Sequence, residues 1–534
     1  MTMLDKRVLV TDPLAEEGLA YLRQHMAVDV RLGLSPQELA EAIGGYEALI
    51  VRSGTQVTAQ VIQAADLLAV IGRAGTGVDN IDLVAATLRG IVVVNVPNSN
   101  AVSVAEHTIA LLLALARHLP QADALLRARG WSRQGLEGIE VRGKKLGIIG
   151  LGRIGSAVAR RAQGLEMEVM AYDPFVSVDY AARRGVTLVS LEELLRKSDF
   201  VSLHVPLTER TECLIGAEEL AMMKPTAYLI NCARGGIVDE EVLCLALEAG
   251  NLAGAALDVF AEEPLADSPL LRNERVILTP HLAATTNEAQ RHTAQEIARQ
   301  VVEVLRGQAP RYPVNAPPLS PEELAVLGPY MDLALRLGRF YAQLAQGNLI
   351  EVELTISGEV AAHDPTILSA SALQGVLEAI SEEPVNVVNA RLLAERRGLW
   401  VVERRTPALE NLTSSLTLNI RTTEGEWSVM GTVLRGEPHI VRINDFWIDF
   451  VARGRLLVSE HIEGPGILGR VGTLLGEAGI NISFLQVGRQ ERGGLGVMVL
   501  GIDPLTGAGD PLTPEVLEAL LEMPSIRSAH SLSL

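Results

Sequence analysis

The chain has 534 residues, of which 48% are hydrophobic and 21% are charged, and its formal net charge is −19 at pH 7. This balance is typical of globular domains and excludes a disordered chain, while the acidic charge without a basic block argues against a nucleic-acid partner. Its three cysteines, Cys213, Cys232 and Cys244, form no Cys-x-x-Cys pair, so we expect neither a disulfide framework nor a bound metal.

The first hundred residues alternate short β-rich runs with helical stretches. The predicted strands cover residues 8–10, 48–51, 70–72 and 91–94. Such alternation predicts a parallel α/β unit. The N-terminal segment lacks the apolar core of a secretion signal, and the longest apolar run, Ile109 to Ala116, is too short to span a bilayer. We therefore expect a cytoplasmic protein that does not associate with a membrane.

A second α/β unit contains the glycine motif Gly150-x-Gly152-x-x-Gly155, which follows the apolar run 145–149 and precedes a helical stretch. In that position the motif predicts a Rossmann domain that binds a dinucleotide, since the glycines allow a tight turn and a close approach of the backbone to the pyrophosphate. Asp173 ends the next apolar run, 18 residues after Gly155. Its carboxylate can accept hydrogen bonds from ribose hydroxyls and would repel a 2′-phosphate, so NAD is favoured over NADP.

Three polar residues follow later strands of this unit, where parallel sheets form their sites. They are Arg234 after the apolar run 227–231, Glu263 in the segment Asp258-Val-Phe-Ala-Glu-Glu-Pro264, and His281 in Thr279-Pro-His281. An arginine can grip a carboxylate, and a histidine can move the proton that accompanies a hydride. Taken singly, His281 could instead cap a helix, Arg234 could pair with a surface acid, and Glu263 could be solvated.

The C-terminal half begins after a proline-rich stretch, 310–318, that reads as a linker. Residues 316–452 mix helices with amphipathic strands such as 416–420 and 427–433, and no catalytic constellation stands out there. The last eighty residues read strand, helix, strand, strand, helix, strand. This order predicts a βαββαβ, ferredoxin-like domain.

The motifs around Gly150, Arg234, Glu263 and His281 resemble the D-2-hydroxyacid dehydrogenase family, and specifically its long forms that act on 3-phosphoglycerate. The resemblance implies that Arg234, Glu263 and His281 are the catalytic set. Arg234 would hold the substrate carboxylate, His281 would act as acid and base, and Glu263 would orient His281. No metal and no covalent nucleophile are required for such a hydride transfer.

The resemblance also implies two sets of binding residues. The residues expected to contact NAD are Thr76, Gly150, Gly152, Arg153, Ile154, Gly155, Asp173, His204, Val205, Pro206, Cys232, Ala233 and Asp258. Those expected to contact the substrate are Arg52, Ser53, Gly54, Arg73, Gly75, Asn100 and Arg133. Among them Arg52, Arg73 and Arg133 would hold a phosphate, although Arg133 could equally be an ordinary surface arginine.

In fold, the resemblance implies an α/β protein in which a Rossmann nucleotide-binding domain is inserted in a flavodoxin-like substrate domain. An α+β intervening domain follows, and then a βαββαβ ACT domain. The predicted boundaries are 1–98 and 284–315 for the two parts of the substrate domain, 99–283 for the NAD domain, 316–452 for the intervening domain and 453–534 for the ACT domain.

The ACT-like segment carries His461, Glu463 and Asn481, which the resemblance assigns to a regulatory site for L-serine. Glu463 departs from the family's pattern, in which this position is more often Asp or Asn, and a purely dimerising module is the alternative. A second departure is Ala283, where the family commonly has glycine. ACT modules commonly pair, so we expect a homo-oligomer, either a dimer or a tetramer.

The expected function is therefore the NAD-dependent oxidation of 3-phospho-D-glycerate to 3-phosphohydroxypyruvate, the first step towards L-serine. Two alternatives stay open at this point. The chain could be a dehydrogenase for another 2-hydroxy acid, such as glycerate or 2-hydroxyglutarate, with the same catalytic set. It could also be an NAD-sensing binding protein that reuses the fold without turnover.

Overall fold

A computed structural model describes residues 3–97, 99–308, 310–344, 346–381, 383–408, 411–503 and 511–534. The chain divides into two compact units. The first contains Met1–Pro13, Ala20–Asn95 and Ile297–Leu534, and the second contains Leu14–Leu19 and Val96–Glu296. The described residues form four β-sheets, one in the second unit and three in the first.

The N-terminal sheet of the first unit is parallel throughout, with the strand order β2-β1-β3-β4-β5. Its central strand β3 is buried at every residue, as expected for a parallel sheet covered on both faces by helices. The segments of this part of the chain are β1 Arg7–Val10, α1 Glu16–Arg23, β2 Ala27–Val30, α2 Pro36–Ala42, β3 Ala48–Val51, α3 Ala59–Gln63, β4 Val70–Arg73, α4 Leu83–Leu88 and β5 Val92–Val94.

The second unit contains a seven-stranded parallel sheet with the order β12-β11-β10-β9-β6-β7-β8. The chain moves from β6 towards β8 on one side and from β9 towards β12 on the other, so the sheet has its switch point between β6 and β9, where nucleotides bind in such folds. The segments are α5 Ala101–Arg117, α6 Leu119–Arg127, β6 Lys145–Ile149, α7 Arg153–Gly164, β7 Glu168–Tyr172, α8 Val178–Ala182, β8 Thr187–Leu188, α9 Leu191–Lys197, β9 Phe200–Leu203, α10 Ala217–Met222, β10 Tyr228–Asn231, α11 Glu240–Glu248, β11 Gly254–Leu257, β12 Val276–Leu278 and α12 Asn287–Leu305, whose second half belongs to the first unit.

Beyond α12, the predicted linker is packed along the N-terminal sheet. The amide of Val314 donates to the carbonyl of Val93 at 2.8 Å, and the amide of Asn95 donates to the carbonyl of Tyr312 at 3.2 Å. The Asn315 side chain adds bonds to the amide of Val93 and the carbonyl of Ile91, at 2.9 and 2.8 Å. This stretch is therefore fixed to β5 by backbone pairing.

A six-stranded mixed sheet follows, with the order β14-β13-β15-β16-β17-β18, and α13 and α14 pack on its apolar face. Leu416, Leu418 and Ile420 of β15 contribute every second residue of the strand to this core, as the side-chain period of a β-strand requires. The segments are α13 Pro321–Ala342, β13 Leu349–Gly358, α14 Thr366–Leu377, α15 Ala390–Arg396, β14 Trp400–Thr406, β15 Ser414–Thr422, β16 Glu426–Leu434, β17 Glu437–Ile443 and β18 Phe446–Val451.

The C-terminal sheet is antiparallel, with the order β20-β21-β19-β22. Its segments are β19 Arg455–Ile462, α16 Ile467–Glu477, β20 Ile482–Arg489, β21 Leu495–Ile502, α17 Pro514–Leu521 and β22 Ile526–Ser533. Val471, Leu475 and Leu520 of the two helices share a core with the inward residues of the strands. The predicted βαββαβ order and the predicted fold class are confirmed.

Candidate active site

The glycine motif lies at the switch point of the sheet, and each of its three glycines is required for a different structural reason. Gly150 has φ +93°, and a Cβ there would lie 2.6 Å from the His204 carbonyl oxygen. A Cβ on Gly155 would lie 2.1 Å from the Gly150 carbonyl oxygen, so only glycine lets α7 pack this closely on its strand. A Cβ on Gly152 would meet no described atom within 4 Å. Gly152 is the N-cap residue of α7 and provides no side-chain hydrogen bond to the helix end. The free amides of this helix end suit a pyrophosphate.

Asp173 directly follows β7, and its carboxylate braces the glycine turn. One oxygen accepts the Leu151 amide at 2.8 Å, and the other accepts the Phe175 amide at 2.9 Å. The carboxylate therefore lies beside the phosphate-binding turn, at the end of the neighbouring strand. This is where a ribose hydroxyl would meet it in a dinucleotide site.

Other residues predicted to contact the cofactor line the ends of β9 and β10. The Nε2 atom of His204 lies 2.9 Å from the Ser202 hydroxyl, and burial lowers the pKa of its imidazole to about 3, so the ring is neutral. Burial raises the pKa of the Cys232 thiol to about 12. The Cys232 thiol, buried in the core of this unit, therefore stays protonated and is not a nucleophile. Arg153 and Ile154 lie in the first turn of α7, Val205 and Pro206 follow His204, and Ala233 follows Cys232.

His281 and Glu263 form a hydrogen-bonded pair at the carboxyl ends of β12 and β11. The His281 Nδ1 atom lies 2.7 Å from Glu263 Oε2, and the other oxygen of Glu263 accepts the Phe260 amide at 3.1 Å. Burial is the largest single influence and raises the pKa of Glu263, but the bond to His281, the charge of His281 and the Phe260 amide together lower it by more, so the pKa lies below its usual value. The ionised carboxylate orients the imidazole through Nδ1, which leaves Nε2 for another partner.

Arg234 follows β10, next to the strand that carries Glu263. Its carbonyl accepts the Asn231 side-chain amide at 2.9 Å, and its Nη1 atom donates to the Ala233 carbonyl at 2.7 Å. A Cβ on Gly235 would lie 1.8 Å from the Phe260 carbonyl oxygen, so the two loops touch through their backbones. The structure thus places the three predicted catalytic residues after three adjacent parallel strands, β10, β11 and β12.

Asp258 has a structural role that the sequence reading missed. Its fully buried carboxylate accepts the amides of Leu282 and Ala283, both at 2.8 Å, and the Thr279 hydroxyl at 2.6 Å. His107 approaches the same carboxylate at 3.4 Å. Burial raises the pKa of Asp258, but the hydrogen bonds to its carboxylate together lower the pKa by more. The net shift of the pKa is therefore downward. Its side chain holds the His281 loop, and direct contact with NAD stays a prediction.

Three family models match the chain in order. Residues 109–283 match the D-isomer specific 2-hydroxyacid dehydrogenase NAD-binding domain. Residues 326–444 match the D-3-phosphoglycerate dehydrogenase intervening domain, and residues 458–521 match the ACT domain. The NAD cofactor and the ACT module expected from the sequence are therefore confirmed.

The D-3-phosphoglycerate dehydrogenase of Methanocaldococcus jannaschii is 43% identical over 529 residues, which cover 99% of this chain and all of that protein. The Synechocystis enzyme of the same name is 43% identical over 530 residues, covering 99% of this chain and 95% of that protein. The chain belongs to the D-3-phosphoglycerate dehydrogenase family. A structure of D-lactate dehydrogenase from Aquifex aeolicus, complexed with NAD and lactic acid, matches 57% of this chain and 96% of its own at 29% identity and a TM-score of 0.52.

In this family member, the predicted substrate residues are divided between the two units. Arg52, Ser53 and Gly54 follow β3, while Arg73, Gly75 and Thr76 lie at and after the end of β4, all in the first unit. Asn100 precedes α5 and Arg133 lies between α6 and β6, both in the second unit. The second unit therefore contains the three predicted catalytic residues and all of the predicted cofactor residues except Thr76, which lies in the first unit.

The Arg52 loop has a well-defined frame in the first unit. Asp12 Oδ2 accepts the amides of Arg52 and Thr55 at 2.6 and 3.2 Å. The Asn80 side-chain amide donates to the carbonyls of the same two residues, at 2.7 and 2.6 Å. A Cβ on Gly54 would lie 2.6 Å from Asp12 Oδ1, which explains the glycine. The loop backbone is thus held at both ends by carboxylate and amide groups.

Two of the three predicted regulatory residues of the ACT domain, Glu463 and Asn481, are hydrogen-bonded to other side chains of the same domain. Glu463 accepts the Gly493 amide at 2.7 Å and pairs with Arg489, and these bonds lower the pKa of its carboxyl. Asn481 donates to the Asp503 carboxylate. His461 is buried, which lowers the pKa of its imidazole. The ammonium group of an amino acid bound here would compete with Arg489 for the Glu463 carboxylate.

No single helix in the described ranges is long and apolar enough to cross a membrane; α5 and α6 pass that test jointly, with a bend of 64° between them. The described residues contain no cluster of His, Cys, Asp and Glu that could hold a metal ion.

Proposed function

We propose that this protein oxidises 3-phospho-D-glycerate to 3-phosphohydroxypyruvate as the first step of L-serine biosynthesis. Bound NAD supplies the acceptor for the hydride that leaves the substrate C2 carbon. His281 withdraws the proton of the C2 hydroxyl through Nε2, and the C2–O bond becomes a carbonyl. The products are NADH, the 2-oxo acid and a proton that His281 passes to solvent.

Arg234 and Glu263 give this step its geometry. The Arg234 guanidinium binds the substrate carboxylate with two donors and so fixes the C2 carbon next to the imidazole. Glu263 holds His281 in one orientation and stabilises the imidazolium that forms when it takes the proton. The observation that carries the proposal is the 2.7 Å bond between His281 and Glu263, in a chain 43% identical to a D-3-phosphoglycerate dehydrogenase over nearly its whole length.

For the phosphate group of the substrate, the proposal assigns Arg52, Arg73 and Arg133. A dianionic phosphate needs cationic donors; Arg52 lies in the braced loop after β3, and Arg73 is the last residue of β4. Substrates without the phosphate would lose these bonds but keep those to Arg234. Selectivity for 3-phosphoglycerate over glycerate therefore requires both the three arginines that bind the phosphate and Arg234, which binds the carboxylate.

The test is NADH formation, followed by absorbance, with 3-phosphoglycerate, D-glycerate and 2-hydroxyglutarate in parallel. We expect preference for 3-phosphoglycerate. The negative control is the variant His281→Asn. Asparagine tolerates the backbone conformation of His281, which has φ +53°, but its side chain cannot act as a general base. Preference for an unphosphorylated acid would reject the substrate. NAD binding without turnover of any of the three would favour an NAD-sensing protein.

We further propose that the protein is a cytoplasmic homo-oligomer, a dimer or tetramer, and that L-serine binds its ACT domain. Support comes from the ACT match and from three cysteines that form no disulfide. Calorimetric titration with L-serine should give heat, with D-serine and the Asn481→Ala variant as controls. Absence of heat with L-serine would reject the effector and leave a module that only pairs.

A further inference from the structure

The intervening domain contacts the N-terminal sheet domain through two asparagines. The side-chain amide of Asn386 donates to the carbonyl of Gly90 at 2.8 Å, and that of Asn389 donates to the carbonyl of Leu88 at 3.1 Å. Leu88 is the last residue of α4, where a helix leaves carbonyls without internal partners, and Gly90 lies two residues beyond it. Two residues 296 and 301 positions away from their partners in the chain thus bind carbonyls at and just beyond the end of this helix.

The contact is close and partly buried. Asn389 is fully buried, and Leu88 packs against the apolar core of the intervening domain. A Cβ on Gly90 would lie 2.5 Å from the Asn386 Nδ2 atom, so the backbone of the turn is in direct contact with that side chain. Hydrogen bonds in such a setting contribute more, and are costlier to break, than those on an open surface.

Both asparagines are also fixed on their own side. Asn386 Oδ1 accepts the amides of Val388 and Asn389, at 2.9 and 3.3 Å, and Asn389 Oδ1 accepts the amide of Asn386 at 2.8 Å. The acceptor atoms thus shape the turn before α15, while the donor atoms reach the other domain. In Asn386 these two functions are carried by different atoms and can be separated by mutation, whereas Asn389 Nδ2 also donates to the Pro384 carbonyl of its own domain at 2.9 Å.

From α4 a short chain of bonds leads to the Arg52 loop. The helix begins after Asp82, whose amide donates to the Val57 carbonyl at 2.9 Å, while the Val57 amide donates to the Asn80 carbonyl at 2.8 Å. Asn80 in turn holds the carbonyls of Arg52 and Thr55. A shift of α4 along its axis would therefore move Asn80, and with it the loop that Asn80 braces.

We infer that Asn386 and Asn389 are positioning residues for substrate binding: by capping α4 from the intervening domain, they set the position of the Arg52 loop. This inference rests on the proposed function, since Arg52 matters for turnover only if it binds the substrate. It makes the docking of the intervening domain a determinant of substrate affinity and leaves the NAD site in the second unit unaffected.

The decisive variant is Asn386→Asp in the full-length protein. An aspartate keeps the acceptor oxygens for Val388 and Asn389, but it replaces the donor facing the Gly90 carbonyl with a second acceptor. Asn389→Asp makes the same change opposite Leu88 but also removes the donor to the Pro384 carbonyl, so it is the secondary variant. The control is Asn348→Ala, an exposed asparagine of the same domain. Steady-state kinetics give KM for 3-phosphoglycerate, KM for NAD and kcat, and hydrogen–deuterium exchange reports on the amides of residues 76–90.

For Asn386→Asp we expect KM for 3-phosphoglycerate to rise on the order of threefold to tenfold, the size of one lost net hydrogen bond. KM for NAD should change less than about twofold, and exchange in 76–90 should accelerate. A purely structural contact would instead lower the melting temperature with both KM values unchanged, and that result would overturn the inference. If the wild type does not oxidise 3-phosphoglycerate, the proposed function fails, whereas unchanged exchange in the variant rejects the coupling itself.

Discussion

The carboxylate of Asp258 accepts the backbone amide of Ala283 at 2.8 Å, two residues beyond His281. The His281 amide in turn donates to the Asp258 carbonyl at 2.9 Å, so the loop is fixed to the end of β11 by both the main chain and the side chain. His281 has φ +53°, a conformation that costs a non-glycine residue about 1–3 kcal/mol. The bonds to Asp258 offset this cost and hold the imidazole where Glu263 can orient it.

Replacing Asp258 with asparagine should therefore affect both stability and turnover. The amide group would offer one acceptor oxygen where the carboxylate serves two backbone amides and a hydroxyl. We expect the free energy of unfolding to fall by about 3 kcal/mol, since a buried, fully bonded group loses partners. Urea unfolding and kcat measure the two effects. Wild-type values for both would contradict the role assigned to Asp258.

The same residue predicts how stability changes in acid. The pKa of Asp258 is lowered in the folded protein, so its stabilising contribution is present above the ordinary value of about 3.9 and is lost as the pH falls through the folded value. The stability difference between wild type and Asp258→Asn should thus stay constant from neutral pH to about pH 5 and shrink below about pH 3.9. Unfolding free energies measured across this range provide the check, and a difference that grows in acid would be inconsistent with an ionised Asp258.

Glu263→Gln tests the orienting carboxylate with almost no change of shape. A glutamine can present its NH₂ group to His281 Nδ1 and so select the wrong tautomer, and it cannot stabilise the imidazolium. We expect kcat to fall roughly 100-fold or more, as in other sites where a carboxylate orients a catalytic histidine. Glu262→Gln, the exposed neighbour, is the matched control. Equal activity of the two variants would show that Glu263 is dispensable.

Part of this architecture was predictable from the sequence because it is encoded locally. The strand β3 lies at the predicted residues 48–51, since apolar runs between turn signals form the buried strands of a parallel sheet. The glycine motif and the residues after β10, β11 and β12 were also found, because sites in such sheets lie at strand ends. The catalytic and binding assignments themselves remain predictions.

Other features depend on contacts between distant segments, which no local pattern encodes. The helix α5, which contains the apolar run 109–116, ends at Arg117, where His118 takes a left-handed conformation and α6 starts. The linker 310–318 is fixed to β5 by Asn315, and Asn386 binds a carbonyl almost 300 residues away. An asparagine in a loop has many possible partners, so the sequence could not identify these.

Arg52→Ala separates phosphate recognition from carboxylate recognition. Removing a charged donor to phosphate should raise KM for 3-phosphoglycerate by roughly 10- to 100-fold, the effect of losing a charge-assisted bond, with little change for D-glycerate. Arg31→Ala, an exposed arginine of the same unit, is the control. Steady-state kinetics with both substrates give the answer. Equal losses for the two substrates would remove Arg52 from the phosphate site.

The most direct test of the account is the fate of the hydrogen on C2. The protein is incubated with NAD and 3-phosphoglycerate carrying deuterium at C2, and the nicotinamide product is examined by mass spectrometry. The account predicts that each NADH formed contains one deuterium and that His281→Asn forms almost none. Recovery of NADH without deuterium, or no NADH from the wild type, would contradict hydride transfer from C2 of this substrate.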